Sequence, residues 1–217
     1  MDNKAAQQVF SYNFSRRIPP TLRVAASGIV ADIKHALDQA TCDAILLTRG
    51  IDVKSVHFPI GKTRPDFESE TKRRLAKAHH ELFEFVMALQ VHDANDPAFY
   101  QFLRLAGGAK HTRLLRVGLS VEGNILHVAP NKTLYIPGPA TLGSLAWNEA
   151  RNELDFLRIN VGEHYEADFS PVLHLQLDKG EPPLDGPAAA IFREMASKAQ
   201  RIIMALEAEA RRIASTL

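Results

Sequence analysis

The chain has 217 residues, 46% apolar and 24% charged, with 26 Lys and Arg against 25 Asp and Glu for a net charge of +1. These fractions exclude a disordered chain, and a single cysteine, Cys42, excludes an intramolecular disulfide or a thiolate metal cluster within one chain. The first twenty residues hold no apolar leader and no apolar run approaches the ~18 residues of a membrane span, so a reducing cytoplasmic setting without a membrane partner is expected.

Residues 1–112 are expected to be mainly helical. Pro19-Pro20 precedes Leu22, Ile29, Ile33 and Leu37, whose spacing predicts a first helix ending near Ala40. Ala44–Leu47 and Val53–Phe58, separated by Thr48-Arg49-Gly50, predict a short β-hairpin. Pro65-Asp66 then predicts a helix over 66–91, capped by Asp66 and with Leu75, Ala78, Leu82, Phe85 and Leu89 on its buried side. Asp96 as cap and Pro97 as first residue predict another helix, ended by Gly107-Gly108.

From Arg113 the period changes to two, and short apolar runs up to Leu177 predict an antiparallel sheet within 113–185. Gly186-Pro187 predicts a long amphipathic helix over 186–217, with Phe192, Met195, Ile202, Leu206 and Ile213 on its apolar stripe. That stripe must be covered by the chain itself or by a partner, and a homodimer through it is one expectation. The whole reads as one α+β domain over 1–217.

The charge is unevenly spread. Residues 1–121 carry 17 basic and 12 acidic side chains, 122–185 carry 4 and 10, and 186–217 carry 5 and 3. Lys72, Arg73, Arg74 and Lys77 form one basic cluster, while Arg104, Lys110, Arg113 and Arg116 surround the Gly107-Gly108 pair. If the two helices pair antiparallel, both clusters meet at one end and form a surface that neutralises phosphates. Tyr100 or Phe102, if exposed, would stack a base. The leading expectation is a non-catalytic module that binds DNA or RNA, or a subunit of a nucleic-acid-processing complex.

Arg74-x4-His79 and Arg104-x6-His111 resemble the spacing of HEPN ribonucleases, in which Arg and His at a dimer interface promote RNA cleavage without metal. About two such spacings arise by accident in a chain this rich in Arg and His, and Leu75 and Leu105 stand where that family favours a polar residue. A metal-independent ribonuclease using His79, His80 or His111 is therefore the alternative reading, and a structural or oligomeric protein the third. His164, Glu166 and Asp168 alternate as metal ligands on a strand would, with His174 nearby, but so do the polar residues of any solvent-facing strand. No P-loop, dinucleotide, serine-hydrolase or Cys-x-x-Cys signature is present, and no metal or cofactor is expected.

Overall fold

A computed structural model of the chain describes residues 7–13, 19–54, 56–109, 117–121, 141–142, 147–148, 150–160, 173–177, 184 and 188–217. The chain divides into two compact units, one built from 21–115, 179–185 and 189–217 and the other from 1–20, 116–178 and 186–188.

The first unit is helical. Helix α1 spans Pro20–Arg49 without interruption, so the expected end near Ala40 and the hairpin after it do not exist. Its buried positions Ala26, Val30, Leu37, Thr41, Ala44, Ile45 and Thr48 keep helical spacing to the last turn. Thr41 and Thr48 are polar but satisfied, each donating its hydroxyl at 2.8 Å to the carbonyl four residues earlier. Gly50 stops the helix in the left-handed region at φ 65°, its amide donating to the Leu46 carbonyl at 2.8 Å. The segment Val53–Phe58 is not a strand: where described it is irregular, and it is tied back onto α1.

The predicted helix over 66–91 is two helices, α2 (Arg64–Arg74) and α3 (His80–Leu89). Leu75 closes α2 with its amide on the Thr71 carbonyl, and His79, in extended conformation, restarts the chain by accepting the Glu81 amide on its own ring nitrogen. Leu75 and Leu82 from the predicted stripe are buried, as is Val86. Helix α4 spans Pro97–Ala109 and starts as predicted, with Asp96 accepting the Phe99 amide at 3.3 Å. Gly107-Gly108 fall in its last turn, directly before its end at Ala109, where the sequence places the stop. Phe99, Phe102, Leu103 and Ala106 are its buried positions.

Helix α5 (Ala188–Ala214) lies against the others within the same unit. Phe192 meets Phe102 edge to face at 6.2 Å, Lys198 pairs with Asp96 and sits 5.3 Å from the centre of the Phe99 ring, and Arg212 pairs with Glu81 of α3. Met195, Ala199, Leu206, Ala210 and Ile213 are buried.

The second unit carries strand fragments. Strand β1 (Gln7–Asn13) runs antiparallel to β5 (Glu153–Asn160), which also pairs with the two-residue strands β3 (Thr141–Leu142) and β4 (Trp147–Asn148). Separately, β2 (Val117–Val121) pairs with β6 (Leu173–Leu177), Leu119 opposite Leu175.

The α+β class, with a hairpin and then one antiparallel sheet over 113–185, is thereby corrected: the part of the molecule whose side chains are described throughout is helical. Strand is a minor share of the described residues, falls into two separate ladders and recruits β1, for which the sequence reading had no strand. The physical cause of the misreading is that short apolar runs such as Ala44–Leu47 satisfy helix and strand periods equally well, and the buried stripe of a long helix decides between them.

Candidate nucleic-acid interface

Helix α2 begins with a capping box. Thr63 Oγ1 accepts the Asp66 amide at 3.3 Å, and Asp66 Oδ2 accepts the Thr63 amide at 3.1 Å. Thr63 is thus the cap, a role the sequence reading gave to Asp66, and the Asp66 carboxylate is committed to the helix start. Ser69, Glu70 and Arg73 follow Asp66 at three- and four-residue steps, so these residues share one face of α2.

Glu70 is the hub of that face. Arg73 donates to it through Nε at 3.2 Å and Nη2 at 2.7 Å, and Arg74 through Nε at 2.6 Å. The hydrogen bonds from Arg73 hold the Glu70 carboxyl below its ordinary range. Slight burial pushes the other way, and Arg74 adds to the lowering. The same contact raises Arg73. Lys72 and Lys77 are exposed and have no acidic partner among the described residues. Lys72, Arg73 and Arg74 occupy the last turn of α2, not the first turns of a longer helix, and there their charge also complements the negative end of the helix dipole.

Helix α4 brings Arg104 to this face. Arg104 and Tyr100 line a depression of about 340 Å³ together with Asp66, Ser69 and Glu70 of α2 and with Lys62 from the segment before it. Lys62 is fixed there by its neighbour. The Gly61 amide donates to the Val91 carbonyl at 3.2 Å, and a Cβ on Gly61 would stand 2.2 Å from the Phe67 nitrogen, so only glycine permits this approach to α2. Arg104 therefore meets the edge of the α2 cluster, while Lys110, Arg113 and Arg116 lie outside the described residues. Tyr100 and Phe102 are buried, so neither offers an exposed ring for base stacking.

The histidines of the ribonuclease alternative are separated from this depression by their roles. His79 caps α3 and His80 is the exposed first residue of that helix, while His111 is outside the described residues. Arg74, paired with His79 in the HEPN-like spacing, is engaged by Glu70. Of the residues proposed for an oligomer interface, Met195, Leu206 and Ile213 are buried within the chain's own helical unit, and Phe192 and Ile202 are half-buried. His174 belongs to β6, whereas His164, Glu166 and Asp168 lie outside the described residues. Among the described residues no group of three His, Cys, Asp or Glu is gathered as a metal site requires, and no helix is long and apolar enough to cross a membrane.

Lys62 and Ser69 were not anticipated. The only signal for Ser69 was its helical step from Asp66 to Arg73, and for Lys62 there was none, because its position depends on the close approach of Gly61 to Phe67. No protein-family model, curated protein or solved structure matches the chain.

Proposed function

We propose that the protein is a cytoplasmic, non-catalytic nucleic-acid-binding module whose contact surface is the basic face of α2 with Arg104 of α4. One observation supports this reading above others: the stripe Asp66, Ser69, Glu70, Arg73 continues from the depression into exposed cations, and Lys72 and Lys77 are left without acidic partners among the described residues. Cations held in this way contact phosphates and release counterions, which makes binding steeply salt-dependent. Arg73 and Arg74 share a single carboxylate, so one full positive charge remains between them.

The test is a salt titration of binding to mixed-sequence single- and double-stranded DNA and RNA. The triple substitution Lys72→Ala, Arg73→Ala, Lys77→Ala is expected to flatten the dependence of log K on log salt by about 2 to 3, close to one unit per lost phosphate contact. Binding that is absent at low salt, or is unchanged by the triple substitution, would overturn the proposal.

A further inference from the structure

We infer that the depression between α2 and α4 is a phosphomonoester subsite that receives the phosphorylated end of a nucleic-acid strand, an inference that rests on the nucleic-acid reading above. The depression is bordered by two cations, Lys62 and Arg104. Lys62 has no acidic partner among the described residues, and neither does the Ser69 hydroxyl have a hydrogen-bond partner there. An ammonium, a guanidinium and a hydroxyl are the donors that a phosphate oxygen cluster accepts from.

The two carboxylates of the lining decide how much phosphate the depression accepts. Asp66 is committed to the Thr63 cap and Glu70 to Arg73 and Arg74, so neither needs an outside cation and neither vetoes a phosphate held on the Lys62 and Arg104 side. A strand passing straight through would bring a second phosphate against Asp66 and Glu70, which is electrostatically disfavoured. A strand end avoids that conflict. It leaves one phosphate in the depression, doubly charged as a monoester, and directs the remaining chain over the Ser69 edge of α2, one helical step from Lys72 and away from Glu70. The walls suit this: Gly61 admits no side chain beside Phe67, and buried Tyr100 closes the α4 side.

Three ligands of one sequence, each measured with and without inorganic phosphate, separate the outcomes: a single strand with 5′-phosphate, with 3′-phosphate, and with hydroxyls at both ends. One phosphorylated end is expected to bind about tenfold more tightly than the hydroxyl strand, the scale of one added charge-assisted contact. Lys62→Ala, at an exposed position, should erase that increment and leave hydroxyl-strand binding nearly unchanged. Lys72→Ala with Arg73→Ala should weaken all strands and preserve the increment. Inorganic phosphate should compete for the increment while leaving binding of the hydroxyl strand intact. Equal affinity for phosphorylated and hydroxyl ends, or an increment that survives Lys62→Ala, overturns the subsite while leaving the basic face standing. Absence of binding to every strand overturns both.

Discussion

His57 Nδ1 lies 2.8 Å from Asp38 Oδ2, and the same carboxylate accepts the Phe58 amide at 2.8 Å and pairs with Lys34, so one buried side chain on α1 holds the segment that follows the helix. Burial pushes the Asp38 carboxyl upward, but the hydrogen bond and charge of Lys34, with His57 and the Phe58 amide, more than offset it and hold the group below its ordinary value. A depressed carboxylate contributes stability that is fully present above its unfolded value of about 3.9 and lost as pH falls through the folded value. Asp38→Asn is therefore expected to lose about 2 to 4 kcal/mol at neutral pH, with the gap to the parent protein closing below about pH 4. Urea unfolding at a series of pH values measures this directly, and a constant gap down to acid pH would contradict it.

Gly61 is a position where the smallest substitution has a large predicted effect. Its added Cβ would meet the Phe67 nitrogen, Cα and Cβ at 2.2, 2.5 and 2.8 Å. Two of those atoms are backbone and cannot rotate away, so Gly61→Ala is expected to cost about 2 to 3 kcal/mol or to displace α2. A fall in the denaturant midpoint at unchanged m-value reports the first, and loss of strand binding in a stable protein reports the second.

Glu70→Gln separates charge from helix stability. The amide still accepts a hydrogen bond but no longer offsets Arg73 and Arg74. Binding to nucleic acid is expected to strengthen severalfold at low salt, with a steeper salt dependence. Weaker binding after this substitution would mean that Glu70 positions the guanidiniums for the ligand instead of restraining them.

Asp96 serves two elements at once, capping α4 through the Phe99 amide and pairing with Lys198 of α5. Asp96→Ala is expected to cost about 1 to 2 kcal/mol, whereas Lys198→Met, which keeps contact with the Phe99 ring, should cost less than 1 kcal/mol. Thermal unfolding of the two variants side by side ranks the cap against the ion pair.

The features readable from sequence were those set by local chemistry. Asp96-Pro97 announced α4, and the spacing of Met195, Leu206 and Ile213 announced a long amphipathic helix that ends at Ala214, close to where the pattern stops. The misreadings came where tertiary burial overrode a local signal. Ala44–Leu47 looks like a strand but completes α1, and Leu75–His79 looks helical but breaks into two caps. The basic cluster was legible because Lys72, Arg73, Arg74 and Lys77 are adjacent in sequence. Arg104 was expected beside it from helix pairing, but the approach of Lys62 was not, because that depends on a glycine whose role appears only once Phe67 is against it.

The pairing of Arg212 with Glu81 joins positions 131 residues apart, and α5 supplies Met195, Leu206 and Ile213 to a core built mostly from 21–115, with Leu184. On the ribosome, α1 to α4 therefore emerge with an apolar wall still waiting for its last plank, and everything encoded between must be synthesised first. A folding rate governed by the arrival of distant residues more than by helix formation itself is the expected consequence of this order.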